Sequence, residues 1–418
     1  MHPMLGYIAP RLAATLAAAA ALMLLAFAPA PASAQIACPP GVILPGCEEP
    51  PPGGDDPPDP DPDPDPEPPP PPPEPDPCPL IKASGKSTFT GMVSEDVYVA
   101  GPAYRRCELS RQVKAGVRIV RQPFRWSEIE GSKGNYDFAT WYDEYVGTVA
   151  EHGLSILPVL FDPPTWRSSR PARNAAYGTY PPKSFKAMGR FAAQVARRYG
   201  PKGSFWRENR GIPKRPIRAW QVWNEPNLPP YWPTGPNARE YTAMLRAVAK
   251  ALRKVDRKAE IVTGGLPQSG IKGAKPLVGF LKGMYKAGAR KHFDTLGLNP
   301  YARSKRQLVK RIRSVRRVMN RKKHKRARIW ITEMGWATGG PKSRFSVSPE
   351  KQAKLVRQAL RTARKKRKRF RIRGAVYFGW KDSAPYRGVD FWGLHTGLND
   401  VDGNPKPALD AFSRSSAR

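Results

Sequence analysis

Cysteine and histidine are scarce in this chain, which has 4 cysteines and 5 histidines among 418 residues. The histidines are scattered, and no cysteine pair is grouped with histidines in the way that a zinc site requires. We therefore expect neither a metal ion nor another cofactor. Acidic residues are also few, 34 against 71 lysines and arginines, so the chain is strongly cationic.

Long apolar runs are nearly absent from the sequence. The run at residues 12–28 follows Arg11 and precedes the small residues 32–34, which is typical of an export signal with its cleavage site. This pattern predicts a signal peptide over residues 1–34 and a secreted, extracellular protein, either free or associated with the cell wall. The run is shorter than the ~20 residues of a spanning helix and no later stretch is long enough, so we expect no transmembrane span. The alternative is a lipoprotein with Cys38 as the lipidated residue.

Residues 35–77 form a cysteine-containing tail and a linker. Within them, residues 48–77 are almost wholly Pro, Asp, Glu and Gly, which cannot bury enough apolar surface to fold. We expect this Pro/Asp/Glu-rich segment to be disordered and extended. The remaining residues, 78–418, have the length of one large domain.

The four cysteines are expected to form disulfides in an oxidising compartment, and four cysteines allow three pairings. The local pairs are Cys38 with Cys47 and Cys78 with Cys107. The second pair would tie the start of the folded domain to its first helix.

The octapeptide at residues 220–227, Trp-Gln-Val-Trp-Asn-Glu-Pro-Asn, is the most informative motif of the chain. An apolar strand ends abruptly in it, so Glu225 lies at the C-terminal end of a strand, where α/β barrels keep their catalytic residues. A similar apolar run begins at Ile329 and ends in Glu333 before a glycine. Glu333 follows Glu225 by 108 residues, room for about three strand-helix units, which assigns the two glutamates to strands 4 and 7 of a (β/α)8 TIM barrel.

Apolar segments that alternate with amphipathic ones predict the rest of the barrel. Strands are expected at residues 88–93, 116–121, 154–161, 217–222, 261–264, 296–301 and 375–380, besides the run that begins at 329. Helices are expected at residues 104–115, 141–152, 185–199, 238–255 and 408–413. In the sixth helix of the barrel, four apolar residues at helical spacing form the buried stripe: Leu308, Ile312, Val315 and Met319.

These motifs and their spacing resemble the clan A retaining glycoside hydrolases, most nearly families 5 and 39, over roughly residues 85–412. The resemblance implies that Glu225 is the general acid/base, that Glu333 is the nucleophile and that Asn224 binds the sugar 2-hydroxyl. Enzymes of this kind need two carboxyl groups that flank the glycosidic bond.

Three further residues match the clan. Arg121 in strand 2 would lie beside the nucleophile and hold Glu333 ionised, since a nearby cation favours a charged carboxylate. Tyr301 matches a tyrosine that bonds the nucleophile, and Trp380 matches the platform under the cleaved sugar. Asn299 stands where clan members often have histidine, so that histidine's role does not carry over.

Trp166 and Trp392 follow strands on the side of the barrel that carries both glutamates. An aromatic face suits the apolar face of a pyranose, so both residues are candidates for outer sugar subsites. Ordinary packing is the alternative for each of them.

The sequence thus predicts a secreted, monomeric retaining glycosidase that cleaves a polysaccharide or oligosaccharide by double displacement. The alternative is a noncatalytic glycan- or wall-binding barrel. Two carboxylates on catalytic strands argue against that alternative, because a binding protein has no need for both.

Positive charge is concentrated in residues 78–418, which hold 70 basic and 23 acidic residues, a net charge of +47. The runs are expected between a helix and the next strand, on the barrel face opposite the glutamates. An anionic cell-wall polymer is the candidate partner of this back face; a solvated surface without a partner is the alternative. We expect no specific nucleic acid partner. The runs are Arg105-Arg106, Lys214-Arg215, Arg253-Lys254 with Arg257-Lys258, Arg290-Lys291, residues 321–326 and residues 364–369.

Overall fold

The computed structural model describes residues 78–85, 87–173, 175–385 and 390–416. The predicted signal peptide, the linker and the pair Cys38 and Cys47 lie outside the described residues.

Eight parallel strands form a closed barrel. Each strand pairs with its neighbours along the chain, and the register from Thr90 opposite Ala375 to Val93 opposite Phe378 joins the first strand to the last. The predicted (β/α)8 barrel is therefore confirmed. The strands are β1 (Thr90–Val93), β2 (Ile119–Arg125), β3 (Ser155–Phe161), β4 (Ala219–Val222), β5 (Glu260–Thr263), β6 (Thr295–Asn299), β7 (Arg328–Ile331) and β8 (Ile372–Phe378).

Each strand is followed by a longer helix that packs on the outside of the barrel or closes the chain. The helices are α1 (Pro102–Lys114), α2 (Glu144–Glu151), α3 (Phe185–Tyr199), α4 (Ala238–Val255), α5 (Leu277–Lys286), α6 (Lys305–Arg321), α7 (Pro349–Lys365) and α8 (Pro407–Ser416). The bounds of α3 and α4 are those that the sequence predicts. Both begin after a capping side chain: Ser184 accepts from the Ala187 N–H, and Asn237 accepts from the N–H groups of the first helical turn.

Apolar side chains fill two regions. The interior of the barrel holds apolar residues from seven of the eight strands, two of them from β8. The larger cluster lies between strands and helices, and it includes the predicted stripe of α6 from Leu308 to Met319. The interior set is Val93, Ile119, Leu157, Ala219, Val262, Trp330, Val376 and Phe378.

Several short elements were not predicted. After β2, a helical turn (Trp126–Ile129) leads into a hairpin of Glu130–Ser132 with Asn135–Tyr136. The predicted helix at 141–152 begins earlier, as a π-helical turn (Ala139–Asp143) that continues into α2. These segments are too short for periodicity to reveal them.

Cys78 and Cys107 form a disulfide, with their Cα atoms 5.0 Å apart. Cys107 lies in α1, so the bond ties the beginning of the described domain to the first helix. This pairing is the one that the sequence predicts.

One predicted basic run is misplaced. Arg105 and Arg106 lie within α1 and not between a helix and a strand. Arg105 is buried, at 2% exposure, because its guanidinium donates to backbone carbonyls of the segment after β1. No helix in the described ranges is long and apolar enough to cross a bilayer.

Candidate active site

Glu225 follows β4 in a tight turn. Trp223 and Glu225 have left-handed backbones, with φ of 73° and 41°, which non-glycine residues rarely adopt. Buried contacts hold the turn in place: the indole N–H of Trp223 donates to the Tyr231 carbonyl at 2.7 Å, and the Leu228 N–H donates to the Glu225 carbonyl at 2.9 Å. Such backbone strain is typical of functional sites, where the surrounding packing maintains it.

Glu333 follows β7 and accepts hydrogen bonds at both carboxylate oxygens. Arg121 Nη1 donates to Oε1 at 2.7 Å, and the Tyr301 hydroxyl donates to Oε2 at 3.0 Å. The Arg121 and Glu333 side chains are 5% and 6% exposed, so water screens their ion pair weakly. Glu333 is thus held from both sides, by a cation at one oxygen and by a phenol at the other.

Arg121 links three strand ends. Besides Glu333, its guanidinium donates through Nε to Gln221 Oε1 at 2.9 Å and through Nη2 to Asn224 Oδ1 at 2.9 Å. Because the Asn224 oxygen accepts from Arg121, its amide nitrogen is left as a donor. Arg121 therefore fixes both the position of Glu333 and the orientation of Asn224.

Glu225 has a different environment from Glu333. Its Oε1 accepts from Asn299 Nδ2 at 2.7 Å, and Asn299 Oδ1 accepts from the Thr332 hydroxyl at 2.7 Å. Burial and the negative charge of Glu333 together raise the pKa of Glu225 to about 8. Asn299 thus serves as a neutral donor to a carboxyl group whose pKa is raised.

Gly265 makes room for the Asn299 and Thr332 side chains. A Cβ at this position would lie 2.3 Å from Asn299 Oδ1 and 2.7 Å from Thr332 Oγ1. A side chain here would therefore displace the amide that contacts Glu225.

A narrow cavity of about 30 Å³ opens at the strand ends beside Glu333. Eight of its eleven wall residues were not among the sequence-predicted site residues, and they include Glu95, Arg125, Tyr231 and Phe378. Glu95 follows β1 directly, so the reasoning that located Glu225 and Glu333 at strand ends could have found it. Burial raises the pKa of Glu95 to about 7, while Arg125 opposes this shift.

A second cavity of about 420 Å³ adjoins the first. The two share the walls formed by Val93, Glu95 and Phe378, and the larger one continues between the loops after β1 and β8. Asp96, Tyr104 and other polar groups line it. The two cavities together give the strand-end face of the barrel a continuous recess.

The structure places Trp380, the predicted platform, beside the second cavity. Its indole is 1% exposed, its N–H donates to Glu108, and it lines the cavity of about 420 Å³. Phe378, where β8 ends, lines both cavities. The role of Trp380 as a platform stays a prediction.

The two outer tryptophans differ in their surroundings. Trp392 packs edge-on against the Tyr301 ring, with centroids 5.3 Å apart, and so lies one contact away from Glu333. Trp166 is 40% exposed and stacks with the Arg167 guanidinium at 4.3 Å. The structure therefore brings Trp392 to the site and leaves Trp166 on the surface outside both cavities.

The structure thus brings together Glu225, Glu333, Arg121, Asn224 and Tyr301 at the carboxyl ends of four strands. Among the described residues, no group of three or more His, Cys, Asp or Glu side chains is arranged to hold a metal ion. The chemistry available at the site is that of two carboxyl groups with unequal proton affinities.

No protein-family model matches the chain, and no curated protein matches it. Solved structures do match. A family 39 glycoside hydrolase from Bacteroides cellulosilyticus WH2 superposes with a TM-score of 0.54 and 16% identity over 79% of this chain and 64% of its own. A monomeric β-xylosidase from Caulobacter crescentus CB15 has a TM-score of 0.56 at 16% identity, over 79% and 69% of the two chains.

A GH10 structure from Paenibacillus barcinonensis has a TM-score of 0.53 at 16% identity, and the match covers 81% of this chain and 98% of that one. At such identities the likeness concerns the fold. The chain also spans less than two thirds of the family 39 protein. The chain is therefore a (β/α)8 barrel with the fold of these glycoside hydrolases.

Proposed function

We propose that this protein is a retaining glycoside hydrolase that cleaves O-glycosidic bonds of a polysaccharide or oligosaccharide by double displacement. The proposal rests on one observation: the two buried carboxyl groups at the barrel strand ends have different hydrogen-bond partners, a cation for one and a neutral amide for the other. Glu333 is held by Arg121 and Tyr301, whereas Glu225 is held by a neutral amide and has a pKa raised to about 8. A charged nucleophile beside a protonated acid is the starting state that double displacement needs.

In the first step, a Glu333 oxygen attacks the anomeric carbon while Glu225 gives its proton to the leaving oxygen. The C–O bond to the leaving group breaks and a glycosyl ester on Glu333 forms. In the second step, Glu225, now a carboxylate, takes a proton from water as that water attacks the anomeric carbon. The ester bond breaks, and both glutamates return to their starting protonation states.

The loss of charge on Glu333 during the first step explains how Glu225 can change its role. While Glu333 is anionic, its charge raises the pKa of Glu225 and keeps the proton in place. Once the ester forms, that charge is gone, so the pKa of Glu225 falls and the residue becomes a base.

Residues around the two glutamates suit a bound sugar. The amide nitrogen of Asn224 is oriented as a donor for the 2-hydroxyl, a contact expected to strengthen in the transition state. Phe378 offers an aromatic wall to the sugar that is cleaved, and Tyr231 lines the same cavity. The adjoining recess along Glu95 and Tyr104 would hold further units of the same chain.

The test compares the parent with Glu333→Gln, which removes the nucleophile with little change in shape, on a panel of neutral and acidic polysaccharides. Glu151→Gln, at the end of α2 and far from the strand ends, is the matched control. We expect reducing ends to be released by the parent and the control, with kcat/KM lower by at least ~10³-fold in the variant. Glycan binding by all three proteins without release from any would overturn the enzymatic proposal in favour of a noncatalytic binding barrel.

The stereochemistry of the first product tests the mechanism separately. Proton NMR of the fresh product from an active substrate should show the anomeric configuration of the substrate, because two displacements invert twice. A product that is first seen with the opposite configuration would rule out a glycosyl ester on Glu333.

We further propose that the protein works outside the cytoplasm. The signal-like pattern of residues 1–34 and the disulfide between Cys78 and Cys107 both support export to an oxidising compartment. Cell fractionation with an antibody to the barrel tests this, and recovery from the cytosol alone would contradict it.

A further inference from the structure

A cavity of about 1090 Å³ lies away from both glutamates. Part of its wall comes from the end of α3 and the chain that follows it, between Arg197 and Arg218, and part from the end of α4 and the loop after it, residues 254–258. Residues 136–139 and Asp143, between β2 and α2, complete the wall, and none of its residues lines either cavity at the strand ends. We call this cavity the basic groove. Its cationic wall residues are Arg197, Arg198, Lys202, Arg207, Arg218, Lys254, Arg257 and Lys258.

Most of these cations have no carboxylate partner among the described residues. Arg198 pairs with Asp143 and Glu208, and Arg218 pairs with Asp256 at 3.4 Å. The other six are exposed, and none has a carboxylate of the described residues within 4.0 Å. The six are Arg197, Lys202, Arg207, Lys254, Arg257 and Lys258.

The acidic residues of the groove already accept hydrogen bonds from neighbouring groups of the chain. Asp143 accepts from Arg198 and from the Tyr199 hydroxyl, and Asp256 accepts from the Lys258 N–H at 2.9 Å. Asp137 accepts the N–H of Ala139 at 2.9 Å in the turn before α2. The wall therefore presents excess positive charge to solvent, and an anion would find few uncompensated carboxylates to repel it.

Two half-buried aromatic rings, Tyr136 and Phe138, lie in the same wall. Aromatic faces suit the apolar face of a sugar ring, whereas cations bind carboxylates. A chain of uronic acids carries a ring and a carboxylate on every unit and so matches both features. A polymer with charge but no rings would leave the aromatic side chains unused.

We propose that the basic groove binds a polyuronate, a linear polysaccharide of uronic acids. The choice of a sugar polymer is consistent with the proposed glycosidase, but binding in the groove does not require turnover at Glu225 and Glu333. The groove shares no wall residue with the cavities at the strand ends, so the two events can be measured independently.

The basic run at residues 364–369 is a poorer candidate for this binding, although it is equally rich in charge. Arg364 donates to the Thr90 hydroxyl at 2.9 Å and to the Ser416 carbonyl at 2.8 Å, and it stacks on Phe89. Arg367 stacks on the same ring. These side chains hold the start of β1 and the end of α8 together, so reversing their charge would disturb folding as well as binding.

The test reverses three exposed charges of the groove, Lys254→Glu with Arg257→Glu and Lys258→Glu. Its matched control reverses three exposed charges of the loop between α6 and β7: Lys322→Glu, Lys325→Glu and Arg326→Glu. Both variants change the net charge by the same amount, but only the first alters the groove. Binding of the full chain to polygalacturonate, to dextran, to a glycerol phosphate polymer and to single-stranded DNA is measured by fluorescence anisotropy at low and moderate salt.

We expect polygalacturonate to bind the parent more tightly than the other three polymers, and the groove variant to bind it at least tenfold more weakly than the control variant does. The slope of log Kd against log salt should also be smaller for the groove variant, because fewer counterions are displaced. Equal weakening in both variants would overturn the proposal, since only net charge would matter. Preference for the phosphate polymer or for DNA would overturn it too.

Hydrolysis by both variants should match that of the parent, on whichever substrate the parent cleaves. If the parent releases no reducing ends from any glycan, the proposed function fails, yet a groove-specific loss of polygalacturonate binding would still support this inference. The two failures can therefore be told apart.

Discussion

At the scale of single residues, the site depends on a contrast between two carboxyl groups. Arg121 and Tyr301 donate to Glu333, whereas Glu225 has only the amide of Asn299. The contrast needs no metal ion and no flexible part, since each donor lies at the end of a neighbouring strand. It gives the site a pH dependence that can be predicted.

The first prediction concerns the alkaline limb of activity. Glu225 must carry a proton to act as the general acid, and its pKa is raised to about 8. We expect kcat/KM to fall tenfold for each pH unit above about 8. The pH profile is measured over the range in which the enzyme remains folded. A limb near the ordinary range for glutamate would show that Glu225 is not the acid.

Asn299→Ala provides the control for this limb. The Asn299 hydrogen bond lowers the pKa of Glu225, so its removal should move the alkaline limb to higher pH. A limb that stays in place would mean that another group titrates there.

The second prediction uses stability, which does not depend on a substrate. The folded-state pKa of Glu225, about 8, lies above its ordinary value of 4.5, so the folded protein binds more protons between these two values. This contribution to stability is present below pH 4.5 and is lost as pH rises through 8. We expect Glu225→Gln to melt higher than the parent at pH 8.5 and close to it at pH 4.5, by calorimetry at both pH values. A constant difference across this range would contradict the raised pKa.

Sequence motifs located most of the site residues because each is the last polar group of an apolar strand. Glu225 and Glu333 follow from this alone, and Glu95 could have followed by the same rule. Phe378 could not, because its place in the walls of both cavities depends on where β8 stops, and apolar character continues past that point. The partners of Asn299 depend on contacts between strands far apart in the chain.

At the scale of elements, the segment between β1 and α1 is held by one buried side chain. Arg105 donates through Nε to the Val97 carbonyl at 3.0 Å and through Nη2 to the Ala100 carbonyl at 2.8 Å, and Nη1 pairs with Glu144 at 2.8 Å. Glu95 begins this segment and lines both cavities of the site. Arg105 is thus a positioning residue for a wall of the recess.

The third prediction follows from these bonds. Arg105→Ala leaves buried carbonyls without a donor, and each unsatisfied group costs ~1–3 kcal/mol, so we expect the free energy of unfolding to fall by about 3 kcal/mol. Urea denaturation measures this, with Arg190→Ala on the exposed face of α3 as the control. A loss no greater than that of the control would show that the carbonyls find water instead.

Periodicity predicted whole elements better than the connections between them. The two longest matches, α3 and α4, have strong apolar stripes and capping residues at their starts. The hairpin after β2 was not predicted, because its two paired segments are too short to show an alternating pattern. Arg105 was predicted to be a surface charge, because no local sequence pattern indicates that a guanidinium will donate to backbone carbonyls several residues earlier in the chain.

At the scale of the whole molecule, barrel closure depends on β1, which pairs with both β2 and β8. The chain before β1 is tied to α1 by the disulfide between Cys78 and Cys107, which are 29 residues apart. The bond therefore restricts the part of the chain that closes the barrel.

The fourth prediction concerns this bond. A disulfide that closes a loop of this length contributes about 3 kcal/mol by restricting the unfolded chain. We expect the double variant Cys78→Ser with Cys107→Ser to unfold at lower urea concentration than the parent, with a slope m that is not smaller, because its unfolded chain exposes at least as much surface. An unchanged midpoint would contradict the prediction.

Composition revealed the positive charge of the molecule, but it could not show which cations face an open groove. Counting predicted the charge of residues 78–418, whereas only the fold separates cations that hold β1 and α8 together from cations that face an open groove. Such a distinction depends on which helix ends are neighbours, and no local pattern contains it.

The separation of the basic groove from the two glutamates has a consequence for how the protein would behave on a solid surface. A molecule tethered through its groove would leave its catalytic cavities free for whatever diffuses past. Its support and its substrate would then be different polymers, so hydrolysis would not cut the molecule loose. Repeated turnover from a fixed position, with release governed by ionic strength, is the behaviour that this arrangement favours.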